Sequence, residues 1–364
     1  MSIKVCHVTS VHKFPDIRIF YKECVSLSKK YDVHLITSNV EDCVKDGVTV
    51  HGVALPNNRL LRVMQLNKIY KKALQINADI YHFHDPELIK MGVALKKKGK
   101  KIIFDSHEDI PLDIAEKTWM PYLVRKIMSK YYEVLEKRVF KKYDALVSVT
   151  PSIVEKLKKI NSNTYQITNY PFKETFSDQR TWKNSICFAG VVNSGWMHEY
   201  IFKALKGLEV VYDLAGPSTQ DYIDVIRSNE MSKKIVYHGN LEQDKVKPFI
   251  QQHIAGMALY DYKPSFGYKK GSLGNNKIFE YMAAGVPVIA TDFELWREII
   301  EKNECGICVN PHDVYSIESA IRFLLEHPEE ARRMGDNGVK ITQNHYNWSS
   351  QEQILFDLYN SCLQ

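Results

Sequence analysis

Ile80-Tyr81-His82-Phe83-His84-Asp85-Pro86 and Lys101-Ile102-Ile103-Phe104-Asp105-Ser106-His107-Glu108-Asp109 repeat one pattern. In each, a run of β-branched and aromatic residues stops abruptly at polar side chains that can do chemistry. Between them, residues 86–98 carry the apolar spacing of a helix, so the unit reads strand, helix, strand. Outward from this unit the rhythm continues. Strand-like runs fall at 3–9, 32–37, 79–83, 101–105 and 144–149, and helix-like stretches at 17–30 and 60–76. It restarts after residue 180, with strands expected near 185–189, 209–215, 234–237, 254–259, 286–290 and 305–309. Strands separated by helices must pair in parallel through crossovers, which predicts doubly wound α/β sheets.

The two series meet at Asn169-Tyr170-Pro171-Phe172-Lys173-Glu174, where a proline interrupts the alternation. The expected architecture is therefore two Rossmann-like domains, residues 1–170 and 171–345. An amphipathic segment, 346–364, has no strand after it and is expected to pack back across them. A chain of 364 residues suits two such domains. Ligands of open parallel sheets bind beyond the carboxyl ends of the strands, so a ligand cleft between the domains is expected.

Hydrophobic residues make up 45% of the chain and charged residues 25%, a balance that excludes a disordered chain. No apolar run approaches the roughly 20 residues needed to span a bilayer. The opening Ile3-Lys4-Val5-Cys6-His7-Val8 reads as a strand rather than a secretion signal, and a cytoplasmic location is expected. The cysteines at 6, 24, 43, 187, 305, 308 and 362 are scattered and odd in number, against a disulfide framework. Cys305-Gly306-Ile307-Cys308 lacks the second pair that a zinc site needs and reads as buried strand.

Charge is unevenly placed. Residues 1–170 hold 29 Lys/Arg against 18 Asp/Glu, a net of +11, and the remainder holds 20 against 25, a net of −5. The first half is thus expected to meet something anionic. No nucleic-acid-binding signature accompanies the charge, which leaves a membrane surface or a lipid diphosphate.

The strand ends carry the candidate chemistry. The first strand runs into Ser10-Val11-His12-Lys13-Phe14-Pro15-Asp16-Ile17-Arg18. With the two stretches quoted above, it delivers Asp16, Arg18, His84, Asp85, His107 and Glu108 to one rim. Three polar clusters at equivalent positions predict a site; no ligand spacing points to a metal. In the second half, Gly274-Asn275-Asn276 opens a helix of about ten residues that leads straight into a buried strand. A helix N-terminus attracts anions. Lys277 adds a point charge suited to a diphosphate, and Glu280, one turn on, can accept from a ribose diol.

These residues resemble a known family. Asn276-Lys277-Ile278-Phe279-Glu280-Tyr281-Met282-Ala283-Ala284-Gly285-Val286-Pro287-Val288-Ile289 is similar to the donor-binding signature of retaining GT-B glycosyltransferases of family 4. Asp16-Ile17-Arg18, His84-Asp85-Pro86-Glu87-Leu88, Asp105-Ser106-His107-Glu108-Asp109-Ile110-Pro111, Asn169-Tyr170-Pro171, Tyr237-His238-Gly239 and Trp348 extend the likeness to a subgroup found in bacterial polysaccharide gene clusters.

The resemblance implies a nucleotide-sugar donor on the C-terminal domain and a saccharide acceptor on the N-terminal one. A UDP-sugar is favoured over a GDP-sugar. Lys277 would hold the diphosphate, Glu280 the ribose, and Gly274, Asn275 and Asn276 the sugar side. Tyr237 and His238 would stand where the base stacks, and His107 against the transferred sugar. The implied reaction retains the anomeric configuration, needs no cofactor or metal, and has the leaving diphosphate assist as base.

Three positions depart from the pattern. Ser272 stands where a first motif glutamate is usual, and His12-Lys13-Phe14-Pro15 replaces a glycine pair. The Arg and Lys that commonly follow Phe188-Ala189-Gly190 are missing, which puts the phosphate clamp on Lys277 and on Lys269 or Lys270. A nucleotide-sugar epimerase of the same architecture and a non-catalytic homologue remain as alternative readings.

Residues 117–142 form a basic amphipathic helix preceded by Trp119 and Tyr122. Leu123, Ile127, Tyr131 and Leu135 are expected to pack on the sheet. Arg125, Lys126, Lys130, Lys137, Lys141 and Lys142 would remain free to touch anionic lipid. The expected partners are thus a donor, a lipid-diphosphate-linked acceptor, and the inner face of the membrane.

Overall fold

The computed structural model describes residues 2–363. Contacts divide the chain into two compact units. The first comprises the residues up to Asn169 together with those from Trp348 onward, and the second is Tyr170–Asn347.

The first unit is built on eight strands: β1 Lys4–Val8, β2 Asp32–Ser38, β3 Cys43–Lys45, β4 Val48–Val53, β5 Ile80–Phe83, β6 Lys101–Ser106, β7 Ala145–Ser148 and β8 Thr164–Gln166. Their order is β3-β4-β2-β1-β5-β6-β7-β8. Every pairing is parallel except β3 with β4. The order reverses between β1 and β5, the place where open sheets bind ligands. Register puts His7 beside His82 and Phe83 beside Phe104, so the ends of β1, β5 and β6 stand side by side.

Three of these strands lie outside the sequence expectation. β3 and β4 form a hairpin whose turn, Asp46-Gly47, has both residues at positive φ, the geometry that an Asp-Gly pair favours. β8 is a three-residue edge strand.

The helix expected over 17–30 is also different. It opens as a π-helical turn, Ile17–Cys24, and becomes α-helical only over Val25–Ser28. Tyr21 N donates to Asp16 O at 3.2 Å, the five-residue spacing of a π turn. That winding lets Arg18 and Glu23, five apart, face the interior together at 3.1 Å. The expected helix over 60–76 breaks at Gln65 into Arg59–Met64 and Leu66–Ile76.

The helix Trp348–Leu363 belongs to the first unit. Trp348, Leu355, Phe356, Leu358, Tyr359 and Cys362 enter the same core layer as Val5, Val33, Leu35, Ile80 and Val147. Trp348 Nε1 donates to Ser26 Oγ at 2.9 Å, and Gln351 Oε1 accepts from Thr168 N at 2.8 Å. Each such apolar side chain contributes about 1.5–3 kcal/mol when fully buried. The helix therefore forms part of the domain's core.

The helix Tyr122–Val139 corrects the expected packing. Its inward row is Met128, Tyr132, Leu135 and Val139, against the layer that holds Phe104 and Phe140. Leu123 and Ile127 are 68% and 69% exposed, Tyr131 is exposed beside them, and Trp119 just upstream is 74% exposed. Among the described residues no helix is long and apolar enough to cross a membrane.

The second unit has six parallel strands, β9 Lys183–Ala189, β10 Val211–Ala215, β11 Ile235–Tyr237, β12 His253–Ala258, β13 Val288–Thr291 and β14 Gly306–Val309, in the order β11-β10-β9-β12-β13-β14. They lie where the apolar runs predict. Alternate residues of β9 feed the two faces: Ile186 and Phe188 enter one core layer, Cys187 and Ala189 the other. Cys305 and Cys308 are buried in the second layer, and burial pushes both thiols up, which leaves them inert.

One buried carboxyl makes the fold sensitive to pH. Burial raises the pKa of Glu136 to about 7 against the pull of Lys156, 3.4 Å away. The folded chain holds a proton that the unfolded chain releases above its ordinary value of 4.5. The stability linked to that proton is present below the unfolded value and is lost as pH climbs towards 7. Glu136→Gln should therefore lose less of its Tm than the parent chain between pH 4.5 and 7. Parallel Tm-versus-pH curves for the two proteins would contradict this.

Candidate functional site

Each unit gathers its chemistry at the carboxyl ends of its strands, and the two sites are built differently. In the first unit the centre is Arg18, buried at the start of the π-helical turn. Its Nε and Nη2 donate to Asp105 Oδ2 at 3.0 and 2.7 Å, and its Nη1 to Ile167 O at 2.9 Å. Burial opposes a charge on Asp105, but Arg18 and then His107 hold its carboxyl well below the usual range. Glu23, the second carboxyl on Arg18, is pushed up by burial. A buried ion group of this kind is strongly destabilising when one partner is removed, because the rest is left uncompensated.

Around this core lies a file of histidines. His84 Nε2 is 2.9 Å from His7 Nδ1, and His84 Nδ1 is 3.4 Å from His107 Nε2. Tyr359 Oη, from the C-terminal helix, is 2.9 Å from both His7 Nε2 and His82 Nδ1. Burial lowers His84 to about 4 and His7 and His82 well below their ordinary value, so all three are neutral. His7, Glu23, His82 and His84 bring one ligand atom each within 4.8 Å of the others, and so do His84, Asp105 and His107. The bonds just given already occupy both nitrogens of His7 and His84 and one of His82.

The sequence assigned the six rim residues jointly to a binding surface, and the structure separates them. His84 and Asp85 are buried, as is Arg18, and none of the three presents its functional group outward. Asp85 Oδ2 instead accepts from Thr9 Oγ1 at 2.9 Å and Ser10 N at 2.6 Å, pinning the loop after β1. Asp16 caps the π-helical turn, its Oδ1 accepting from Arg18 N and Ile19 N at 2.8 Å each. Against the cost of burial, bonding to His12 and these amides hold Asp16 at about 2. His107 keeps 25% of its side chain exposed, and Glu108 is exposed beside it. His12, 5.2 Å from the His107 ring, joins them at the surface; Asp16 and Asp85 raise its pKa in spite of burial.

In the second unit the rim is made by backbone. Gly190 N donates to Ala215 O at 2.8 Å and Gly216 N to Gly239 O at 2.7 Å, so the ends of β9, β10 and β11 continue into one another. Lys277 reaches this rim from the helix Lys277–Ala283. Its Nζ donates to Ala189 O at 2.8 Å and lies over the rings of Trp196 and Phe188, 4.7 and 4.9 Å from their centroids. Gly190 sits at φ +151°, which side-chain-bearing residues rarely adopt, and a Cβ there would come within 1.9 Å of the Lys277 ammonium and displace it. Burial lowers the Lys277 pKa and Glu280 opposes the shift. Glu280, half-buried one turn on, has no side-chain hydrogen bond or ion pair among the described residues.

The loop before this helix is braced by its own side chains, and the helix is shorter than expected. The helix has seven residues rather than ten, and its first amide, Lys277 N, already donates to Asn275 Oδ1 at 2.9 Å. Gly274 N donates to Ser272 Oγ at 3.0 Å, and Ser272 O accepts from Trp296 Nε1 at 2.8 Å. Ser272 therefore shapes the loop, and Asn276 carries an Oδ1 without a partner. Free charge at this rim comes from side chains. Tyr237 Oη donates to Gly216 O at 2.8 Å, while His238 Nε2 lies 2.5 Å from Asp213 Oδ1 with its ring against Phe249. Lys269 lies over the Tyr262 ring, 5.5 Å from its centroid.

Several participants escaped the sequence reading. His82 on β5 and His84 just past its end are two apart and share a face, a pairing the sequence showed for His84 only as a strand-end residue. Gly216, Trp196, Glu23 and Tyr359 gave no comparable signal.

Comparison with known proteins completes the picture. The family described as glycosyl transferases group 1 matches residues 172–341, and the family described as glycosyltransferase family 4 matches residues 21–168. The MMP alpha-(1->4)-mannosyltransferase of Mycolicibacterium hassiacum is 35% identical over 85 residues, 23% of this chain and 21% of that protein. The chain thus spans about a fifth of that relative. Sucrose-phosphate synthase from Thermosynechococcus elongatus superposes with a TM-score of 0.78 at 14% identity, over 99% of each chain. HepE of Anabaena, solved in complex with UDP and glucose, superposes with a TM-score of 0.71 at 12% identity, over 99% of this chain and 100% of its own. At these identities the likeness is one of fold. With both units matched by glycosyltransferase families and each carrying a parallel Rossmann-like sheet, the chain belongs to the GT-B glycosyltransferases of the family 4 type.

Proposed function

We propose that the chain transfers a sugar, with retention of anomeric configuration, from a nucleoside-diphosphate sugar to a lipid-linked saccharide. The setting is the assembly of a bacterial surface polysaccharide. The observation that carries this reading is the Lys277 ammonium at the glycine rim, one turn from a carboxylate without a partner. Lys277 has three N–H donors and gives one to Ala189 O, so donors remain for a diphosphate. Glu280 is the acceptor that a ribose diol requires. The HepE complex supports a UDP donor, since that protein binds UDP and glucose on the same fold.

In the proposed reaction the acceptor oxygen bonds to the anomeric carbon as the bond from that carbon to the diphosphate breaks. The acceptor's proton passes to the leaving phosphate oxygen. Lys277 stabilises the charge that grows on that oxygen, and oriented charge is usually a large catalytic contribution. No metal is assigned to this step. The second unit holds the donor and the first holds the acceptor, with His107 assigned to the transferred sugar. His12 and Glu108 are further outward polar groups of the first rim.

The exposed face of Tyr122–Val139 supports peripheral attachment to the inner face of the cytoplasmic membrane. Trp119, Leu123 and Ile127 stand free of the core, and Arg125, Lys126 and Lys130 lie among them. Apolar insertion combined with attraction to anionic lipid is how interfacial helices bind. A lipid-linked acceptor would be met there.

Two outcomes follow. UDP should raise the Tm of the purified chain by mass action. Lys277→Ala should weaken that binding roughly 10- to 100-fold, the worth of a charged hydrogen bond, and abolish transfer. A Lys277→Ala protein with an unchanged UDP titration would overturn the donor assignment. In liposome flotation, the parent chain should rise with anionic vesicles at low salt, and Leu123→Glu/Ile127→Glu should stay at the bottom. No flotation of the parent would sink the membrane proposal.

A further inference from the structure

We infer that the cavity among the helices Ile110–Glu116, Tyr122–Val139 and Pro151–Lys158 is a binding site for a lipid phosphate, a phosphate or diphosphate group carrying an apolar chain. The inference deepens the proposed membrane attachment and rests on it for its setting. It uses no residue of the donor rim.

The cavity encloses about 590 Å³ and combines two chemistries. Pro111, Leu112 and Ile160 give it apolar wall, to which the methylene stems of its lysines add. Its charge comes from Lys137, Lys141, Lys156 and Lys159, set against Asp109, Glu133 and Glu136. Lys137 Nζ is engaged by Glu133 Oε1 at 2.7 Å, and Lys156 Nζ by Asp109 Oδ1 at 2.8 Å. Lys141 and Lys159 are exposed and form no ion pair among the described residues. Two ammonium groups are therefore left to meet an anion.

The third carboxyl does little to offset them. Glu136 Oε2 is buried without a hydrogen-bond partner among the described residues, and burial raises its pKa to about 7. Below that pH the carboxyl holds a proton, and a protonated acid can donate to a phosphate oxygen. An ammonium is a compact point charge suited to phosphate. A free phosphate would leave the apolar wall uncovered, whereas the first carbons of a lipid chain would cover it.

Position supports the same ligand. Asp109 caps the helix after β6, its Oδ1 accepting from Leu112 N at 3.2 Å, and stands two residues beyond His107. The cavity thus adjoins the loop that carries His107. On the helix Tyr122–Val139, at about 100° per residue, Ser129, Glu133, Glu136 and Lys137 stand between the core row of Met128 and Tyr132 and the exposed row of Leu123 and Ile127. A headgroup at a bilayer that receives Leu123 and Ile127 would meet the cavity on the flank of the same helix. Two sources carry this chemistry, an isoprenoid diphosphate and a glycerophospholipid.

The test titrates the full chain with geranyl diphosphate, with monomeric dihexanoylphosphatidylglycerol and with inorganic diphosphate, and follows hydrogen–deuterium exchange at saturation. Binding of either lipid, with protection at residues 109–112, 129–141 and 156–160, is the expected result, and the tighter of the two identifies the source. Lys141→Glu/Lys159→Glu should weaken that binding about tenfold, two attractions having become repulsions. Lys97→Glu/Lys98→Glu makes the same change of charge outside the cavity and should leave affinity within about twofold. Inorganic diphosphate binding as tightly as both lipids would overturn the inference, and so would equal losses in the two variants, protection confined to other segments, or no lipid binding. Because the probes are soluble, the expected result beside a chain that fails to float with vesicles would contradict the membrane proposal and leave the cavity's assignment standing.

Discussion

An almost completely buried guanidinium organises the first unit. Arg18 grips Asp105 through two nitrogens, Glu23 through one, and the carbonyl of Ile167 through a third. Those contacts join the β1 loop, the end of β6 and the segment after β8. They also explain why the first helix begins as a π turn, since Arg18 and Glu23 are five residues apart and must share a face. Asp105, fixed by this grip, then fixes His107 Nε2 and starts the file of neutral histidines behind it. Charge buried at such cost is retained here where it orders a rim.

The second unit solves a similar problem with the opposite economy of charge. Its rim is backbone, closed by bonds among Gly190, Ala215, Gly216 and Gly239. A single cation, Lys277, stands on it, with one carbonyl bond and two aromatic faces for support. Among the described residues no carboxylate forms an ion pair with that ammonium, and the Glu280 side chain makes no hydrogen bond, although its charge acts on Lys277 from one turn away. Both rims keep buried polar atoms without a hydrogen-bond partner among the described residues: Glu23 Oε1 and Oε2, Asp105 Oδ1 and His82 Nε2 behind the first, and Asn276 Oδ1 at the second.

Much of this was legible because parallel strands buried on both faces read as unbroken apolar runs. All six strands of the second unit were visible that way, and so were β1, β2, β5, β6 and β7. The hairpin β3–β4 carries a readable Asp46-Gly47 turn that alternation alone passes over. The helix Tyr122–Val139 was misread for a geometric reason. At about 100° per residue, the row Leu123, Ile127, Tyr131, Leu135 drifts by roughly 120°, whereas Met128, Tyr132, Leu135, Val139 stays within about 60° and forms the true inner face. Lys277, Glu280 and His107 could be picked out because each follows a strand or opens a helix. Arg18, His84 and Asp85 share that placement yet point inward, and linear sequence does not distinguish a rim from the layer beneath it. The contact of Tyr359 with His7 spans almost the entire chain, so no local pattern could announce it.

In the proposed function a nucleoside diphosphate is held on the glycine rim by Lys277 and Glu280. Hydrogen–deuterium exchange with and without saturating UDP tests it most directly, because the amides of that rim report their own protection. The account expects protection at residues 187–192, 214–216, 237–239 and 272–282, with the strands of the first unit unchanged. Protection confined to other segments, or none in a chain that binds UDP, would contradict it.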